Sequence, residues 1–324
     1  IVGNGNVVVI DHTTDNNLVT MRFRLKDVPM TAAEEDFEAG GKKFRAGAFI
    51  IANANASQVG AVLTDLGLTG TAMSAMPTVK QHNLDIPRIG YVHSWQRTQD
   101  EGWVRAAFDT YGVPYTYFSD QKLREGNLRA KYDVIIFPHV GGTATSQVQG
   151  IAMTGKTPVP YKKSAETPNL GGIDETDDIR GGMGYEGLQE LYKFVQAGGT
   201  LIVEGSTSTI FPEYKLTTGI TIEEPAGLFA RGSVMRGIIT DKKSPITYGF
   251  QSQVPVYFNQ APVMNAGGIG GGGFGGFGGG GGGGSTTAQQ TTPMASKLTI
   301  SPWDWNAVEG TASATEAPAA ARAA

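Results

Sequence analysis

The sequence predicts an α/β fold with a doubly wound, mostly parallel sheet, preceded by a smaller α/β lobe. Strand-like and helix-like segments alternate along the larger, second part of the chain. Its strands are short continuous apolar runs, such as DVIIF at Asp133–Phe137, and its helices carry apolar residues three and four positions apart. Strands that are apolar on both faces belong in a sheet that helices cover on both sides, which is typical of parallel sheets.

The smaller lobe is predicted over residues 1–86. The run NVVVI at Asn6–Ile10 is typical of a buried strand, and Leu18–Leu25 has helical character. Phe44–Ile51 follows a Gly-Gly pair and is predicted to form a hairpin with Glu35–Glu38.

The clearest helical pattern of this lobe begins at Ser57, which is the predicted N-cap, and ends at Gly67. Its apolar positions are Val59, Val62, Leu63 and Leu66. Spacings of three and four place these side chains on one face of a helix. The lobe is therefore expected to be a small packed unit of strands and helices.

The larger domain is predicted over residues 87–265, with an insertion at 141–182 that is rich in Gly, Thr and Pro. The predicted strands are Ile89–Val92, Tyr115–Phe118, Asp133–Phe137 and Thr200–Val203, followed by Ser233–Thr240 and Val254–Phe258 at a mixed edge. The predicted helices are Asp100–Tyr111, Gln121–Lys131 and Gly187–Ala197. In the first of these helices, Trp103, Phe108 and Tyr111 are predicted to lie in the core.

The last part of the chain has an unusual composition. Residues 266–292 are predicted to be a disordered Gly-rich linker, because such a run cannot recover its ordering entropy by burial. Residues 293–324 are predicted to be a partly disordered C-terminal remnant with one possible strand at Lys297–Trp305. The chain opens on Ile1-Val2-Gly3, without Met or a signal-peptide pattern, and is therefore expected to be a fragment of a larger protein.

Composition excludes several classes of function. The net charge is −4 and no Lys/Arg stripe is present, so neither nucleic acid nor an anionic membrane is an expected partner. No stretch reaches the roughly 20 apolar residues of a membrane span. The chain has no Cys, which excludes disulfides, thiolate zinc sites and cysteine nucleophiles.

Candidate site residues follow the predicted parallel strands, because ligands bind at the carboxyl ends of such strands. They are His93, Trp95, Asp100, Glu101, His139, Glu204 and Ser206. One interpretation is a serine-type hydrolase that uses Ser206 with His93 or His139. Another is a pocket for a peptide or glycan, and a third is that these side chains only cap helices and hold loops. A nucleophile elbow needs small residues two positions either side of the nucleophile, whereas Glu204 and Ser208 flank Ser206.

No metal-ligand pattern is present in the sequence. None of the four histidines stands in an H-E-x-x-H pattern. The acidic residues Asp174, Glu175, Asp177 and Asp178 lack the Gly and the distal Glu of a calcium-binding loop. They are interpreted as a solvated run of charge.

Five stretches resemble the region downstream of the peptidase domain in large bacterial zinc carboxypeptidase-like proteins. They are Asp15–Asp27, Phe37–Ile51, Pro87–Asp120, Leu128–Val140 and Gly187–Ser208. The resemblance covers about residues 6–265 and is most specific at WQRTQDEGW, Trp95–Trp103, and at GGTLIVEGSTS. In those proteins the region resembles the class I glutamine amidotransferase fold, so the resemblance implies a flavodoxin-like sheet here.

The same resemblance implies an accessory or ligand-binding role without catalysis. The family's zinc ligands and general base match no position of this chain, so zinc is expected only in the peptidase domain, which the chain lacks. Class I amidotransferases use a Cys at the elbow, and the corresponding Gly205-Ser206-Thr207 contains none. The implied partners are the upstream peptidase domain and a peptide or glycan ligand. The implied location is secreted or periplasmic.

Overall fold

The computed structural model of the chain describes residues 1–224, 227, 229, 230, 232–259 and 262–266. The strands within them are β1 (Val2–Gly3), β2 (Val7–Ile10), β3 (Thr31–Ala33), β4 (Phe37–Ala39), β5 (Lys42–Phe44), β6 (Phe49–Ile51), β7 (Gly70–Met73), β8 (Gln81–Asn83), β9 (Ile89–His93), β10 (Thr116–Ser119), β11 (Val134–Phe137), β12 (Thr200–Val203), β13 (Thr221–Glu223), β14 (Ser233–Ile238), β15 (Gln253–Phe258) and β16 (Val263–Asn265). The α-helices are α1 (Asn17–Arg24), α2 (Ala56–Asp65), α3 (Gln99–Tyr111), α4 (Leu128–Lys131), α5 (Ala144–Gln149), α6 (Gly184–Gln196) and α7 (Ile210–Glu213). The predicted Gly-rich linker beyond residue 266 and the predicted strand Lys297–Trp305 lie outside the described residues.

The first sheet has six strands in the order β1-β7-β2-β6-β3-β8. Strand β1 is parallel to β7, and the other neighbours are antiparallel. All four residues of β2 are buried, because helices cover one face and the β4–β5 hairpin covers the other. On the helical face Val8 packs with Met21 of α1 and Leu63 of α2. The first 86 residues thus form an α/β arrangement with a mixed sheet.

Two details of this part differ from the predictions. The predicted hairpin arm Phe44–Ile51 is divided in two, since β5 closes the hairpin with β4 whereas β6 enters the six-stranded sheet between β2 and β3. The predicted N-cap Ser57 lies inside α2. The cap is Asn55, whose side-chain oxygen accepts a hydrogen bond from the Gln58 amide at 3.1 Å.

Replacing this cap provides a local test. Asn55→Ala is expected to lower the free energy of unfolding by about 1 kcal/mol, because the Gln58 amide loses its acceptor. Ser57→Ala is the matched control and is expected to change stability by less than about 0.5 kcal/mol. Urea denaturation of the two variants distinguishes the caps, and an equal loss in both would contradict the assignment of Asn55.

The second sheet consists of four parallel strands in the order β10-β9-β11-β12. Helices lie on both faces. The adjacent residues Tyr91 and Val92 of β9 are both fully buried and point to opposite faces. The ring of Tyr91 lies 5.6 Å from that of Phe108 in α3, whereas Val92 packs in the core that contains Leu191 and Phe194 of α6. The predicted parallel α/β arrangement is therefore confirmed at this level.

Helix α3 presents a different face to the sheet from the one predicted. Trp103 was predicted to lie in the core but is 73% exposed. Five residues separate it from Phe108, which corresponds to about 140° around a helix at 3.6 residues per turn. The helix packs on the sheet through Phe108, so Trp103 faces solvent.

Three further differences concern the edges of the larger domain. Gln121–Lys131 is not one helix but a 3-10 helix, Asp120–Glu125, followed by α4. Strand β12 is only half-buried because it is the edge of the four-stranded sheet. Strands β14 and β15 pair with each other in a separate antiparallel sheet rather than extending the parallel one.

The contacts of the chain place all the described residues in one unit, Ile1–Gly271. The division between residues 86 and 87 therefore stays a prediction. Across the part of the chain that the structure describes, no helix combines the length and apolar character required to cross a bilayer.

Candidate functional site

The order of the parallel strands reverses at β9. The chain passes from β9 to β10 on one side and then returns to β11 on the other. In open parallel sheets, such a reversal leaves a crevice at the carboxyl ends of the strands, where ligands bind. Every predicted site residue lies at or near this edge, at the end of a strand, within three residues after one, or in the first turn of α3.

His93, the last residue of β9, binds a carboxylate from the insertion. Its Nε2 lies 3.0 Å from Oδ2 of Asp174, and both side chains are buried. The Ser119 amide donates to the same oxygen at 2.8 Å, and Lys122 Nζ donates to Oδ1 at 2.5 Å. The Glu175 amide adds a further bond to Oδ1 at 2.8 Å. The carboxylate thus receives hydrogen bonds from β9, from β10 and from the 3-10 helix that follows β10.

These bonds determine the charge states of the pair. Burial alone would raise the pKa of Asp174, but the hydrogen bonds from Lys122 and His93 outweigh it and hold that pKa below its usual value. Burial lowers the pKa of His93, which the bond to Asp174 only partly offsets. Asp174 is therefore ionised and the imidazole is neutral near pH 7. Since an ionised carboxylate only accepts hydrogen bonds, Nε2 carries the proton and Nδ1 is an acceptor.

Aromatic rings surround His93. Its ring stacks on Tyr117 at 4.6 Å between centroids, and the ring of Trp95 meets it edge-on at 4.6 Å. Tyr161 of the insertion lies 4.9 Å from Trp95. Among the described residues neither His93 Nδ1 nor Trp95 Nε1 has a hydrogen-bond partner, although both atoms are buried. Buried polar atoms are usually paired, so these two are unsatisfied positions at the candidate ligand site.

Two buried carboxyl groups lie beneath this cluster, Glu101 in the first turn of α3 and Asp120 directly after β10. Burial raises the pKa of Glu101 to about 7, against the opposing hydrogen bonds from the Tyr117 hydroxyl and the Ser94 amide. Burial also raises the pKa of Asp120 to about 7. Each group has one carboxyl oxygen without a partner among the described residues. Both side chains are therefore largely protonated at weakly acidic pH.

Ser206 lies in a 3-10 helix, Gly205–Thr209, that follows β12. Its Oγ accepts hydrogen bonds from the amides of Gly141 at 2.7 Å and Val140 at 3.3 Å. Its own amide donates to Nδ1 of His139 at 3.0 Å. Within the described part of the chain, Ser206 Oγ is thus hydrogen-bonded to backbone amides and not to an imidazole.

Glu204 caps this 3-10 helix. Its side chain accepts from the Thr207 amide, and the Thr207 hydroxyl in turn accepts from the Glu204 amide at 3.0 Å. Burial raises the pKa of Glu204, and the nearby charge of Asp100 raises it further. Gly205 has a φ of +54° and a Cβ there would lie 2.5 Å from His139 Nδ1, so the close contact of this turn with the imidazole requires glycine.

The structure thus pairs the predicted residues in a way that the sequence does not reveal. His93 contacts Asp174 and Trp95, and Ser206 contacts His139 through its backbone. The use of Ser206 as a nucleophile stays a prediction without a supporting contact. The interpretation of Asp174 as a solvated charge is wrong, because that residue is only 7% exposed and forms the centre of the site.

Four contributing residues were missed. Ser119, Asp120 and Lys122 follow a correctly predicted strand, so the rule that identified His93 would also have identified them. Asp174 lies 81 residues from His93 in the sequence, and nothing in the sequence indicates that the insertion returns to β9.

Metal binding has no support in the geometry. Over the residues that the structure describes, no three or more His, Asp or Glu side chains are grouped as metal ligands would be. The zinc that the resemblance implies was expected in a peptidase domain and not among these residues.

Comparisons with known proteins do not identify a family. No protein-family model, no curated protein and no solved structure matches the chain.

Proposed function

We propose that this chain is an accessory, ligand-binding region of a secreted zinc metallocarboxypeptidase-like protein, and that it has no catalytic centre of its own. The link to such proteins rests on the resemblance of the five stretches, above all Trp95–Trp103. The secreted or periplasmic location rests on the same resemblance.

The observation that carries the ligand-binding role is the cluster around His93. It lies where the strand order reverses, and it contains buried polar atoms that have no hydrogen-bond partner among the residues the structure describes, beside three aromatic rings. Aromatic faces with a few polar groups are typical of small-molecule sites. The absence of catalysis is supported by the hydrogen bonds of Ser206 Oγ, whose partners among the described residues are backbone amides and not the imidazole that would act as a base.

A flavodoxin-like sheet of the class I glutamine amidotransferase type is the finer fold that we propose for residues 87–265. Numbered within the domain, the strand order β10-β9-β11-β12 is 2-1-3-4. Flavodoxin-like sheets have the order 2-1-3-4-5 and bind their ligand between strands 1 and 3. The order supports this fold and also supports the site at His93.

Two assays on the purified chain test the proposal. We expect no hydrolysis of peptides at their C-termini with or without added Zn²⁺, and we expect thermal stabilisation by at least one member of a panel of peptides and glycans. Stabilisation should be lost in His93→Ala, whereas Ser208→Ala, at a half-buried position outside the cluster, is the control. Zinc-dependent carboxypeptidase activity would contradict the non-catalytic role.

The alternative of a serine-type hydrolase is tested in the same experiment. If the chain hydrolyses esters or amides and Ser206→Ala abolishes this, Ser206 is a nucleophile and the proposal is wrong. A structural Ser206 instead predicts a loss of stability without a change in any activity, because the amides of Val140 and Gly141 lose their acceptor.

A further inference from the structure

We propose that the strand-end site binds the carboxylate group of a ligand, and that Asp174 occupies this position when no ligand is bound. This inference rests on the proposed ligand-binding function and specifies its chemistry.

Three of the four donors to this carboxylate belong to the sheet domain, and the fourth, the Glu175 amide, belongs to the insertion. His93 Nε2, the Ser119 amide and Lys122 Nζ converge on one carboxylate at 3.0, 2.8 and 2.5 Å. An imidazole N–H, a backbone N–H and an ammonium group in this geometry form charge-assisted hydrogen bonds with any carboxylate. The site therefore recognises the functional group rather than the residue that supplies it.

The chain that precedes Asp174 buries few apolar side chains and is held mainly by hydrogen bonds, such as those between the backbones of Tyr161 and Thr176 and from Arg180 to the Thr154 carbonyl. We call residues 152–173 the strap; they are exposed throughout, apart from the half-buried Leu170 and Gly171. The strap includes Met153 at 66% and Ile173 at 64% exposure, so these apolar side chains contribute little burial. Asp174 directly follows this exposed segment and is itself only 7% exposed. A segment with few buried apolar contacts opens at low free-energy cost, so its carboxylate is replaceable.

The unpaired atoms beside the carboxylate indicate that Asp174 fills only part of the site. The acceptor His93 Nδ1 and the donor Trp95 Nε1 are buried without partners among the described residues. Asp174 cannot reach them while it binds His93 Nε2 and Lys122. A ligand with a carboxylate plus a nearby N–H or O–H donor and a second acceptor oxygen satisfies these positions as well. An N-acylated amino acid supplies them with its amide N–H and C=O, and a uronic acid supplies them with its hydroxyl groups, which both donate and accept.

A vacated site should bind small carboxylates. In Asp174→Ala we expect acetate, N-acetyl-alanine and glucuronate to bind at least about twofold more tightly than in the wild type, because the tethered carboxylate competes there at a millimolar effective concentration, which is about the dissociation constant of a millimolar ligand. Isothermal titration and the thermal midpoint measure this, with chloride as the ionic control. Tighter binding of N-acetyl-alanine than of glucuronate would indicate that the natural ligand is a peptide. Tighter binding of glucuronate would indicate an acidic glycan.

The control variants distinguish this site from a general effect of charge. Asp177→Ala removes an exposed carboxylate of the same insertion, whose side chain is 85% exposed and pairs with Lys162, and should bind acetate as the wild type does. Adding Lys122→Ala to Asp174→Ala should abolish the gain. Equal binding by the wild type, Asp174→Ala and Asp177→Ala would overturn the proposal.

A second measurement uses the wild type and does not depend on folding of the variant. Trypsin cleavage at Lys162 and Lys163 in the strap should accelerate when N-acetyl-alanine or glucuronate displaces Asp174, and unchanged cleavage at saturating ligand would overturn the inference.

The failure of this inference is distinguishable from the failure of the proposed function. If the wild type is stabilised only by neutral glycans, and Asp174→Ala does not bind carboxylates, the carboxylate inference fails while the ligand-binding function stands. If Asp174→Ala binds carboxylates but no panel ligand stabilises the wild type, the proposed function fails alone.

Discussion

The free energy of unfolding is expected to fall by roughly 3 kcal/mol for each of Glu101 and Asp120 as the pH rises from about 4 to about 7. Burial raises the pKa of both carboxyl groups to about 7 in the folded chain, from ordinary values of 4.5 and 3.8. Between the unfolded and the folded pKa the native state binds more protons, so raising the pH favours unfolding. The stabilisation is complete below the unfolded pKa values and is lost above about pH 7.

Amide substitutions should remove this dependence. Glu101→Gln keeps an acceptor oxygen for the Tyr117 hydroxyl, and Asp120→Asn keeps the shape of the side chain, so each variant should be more stable than the wild type near pH 8. Asp100→Asn, at an exposed position of the same helix turn, is the matched control. Urea denaturation across this pH range measures the slopes. A wild-type slope that neither amide variant reduces would show that these carboxyl groups do not cause it.

Phe137→Ala is expected to lower the free energy of unfolding by about 3–5 kcal/mol. Phe137 ends the inner strand β11, is 1% exposed and packs in the core that α5 and α6 cover. Truncation removes the buried ring and leaves a cavity that the surrounding strands and helices fill only in part.

Ile202→Ala is the control for this effect. Ile202 lies on the edge strand β12 and is 43% exposed, so its truncation should cost about 1 kcal/mol or less. Chemical denaturation of both variants compares the inner and the edge strand directly. Similar losses for the two would contradict the strand order, because they would require β12 to be as buried as β11.

The local pattern of apolar residues was sufficient to predict the strands of the parallel sheet. DVIIF and the other apolar runs predicted strands β9, β10, β11 and β12 within about two residues, since an inner strand needs apolar side chains on both faces. Gly112 ended α3 as predicted, because its left-handed backbone with φ of +66° suits glycine. The rule that ligands bind at strand ends led to His93 and Trp95 without knowledge of the fold.

The local pattern of residues was insufficient wherever the burial, cap or neighbour of a residue depends on a segment far away in the sequence. Trp103 and Phe108 are both apolar, and only the position of the sheet decides which one is covered. Asn55 and Ser57 are both good caps, and the backbone direction before α2 selects Asn55. Strand β12 has the composition of an inner strand, but β11 is the one strand that it pairs with among the described residues.

The sequence by itself determined the α/β class, the parallel strands, the edge of the sheet where polar residues gather, and the exclusion of thiol chemistry by the lack of Cys. Only the tertiary structure decided that Asp174 reaches His93 and Lys122, that Glu101 and Asp120 are buried, and that Ser206 binds backbone amides. Periodicity and composition reflect which side chains are buried within one element. The partners of a buried charge depend on contacts between segments far apart in the chain, and those are set by the packing of the whole molecule.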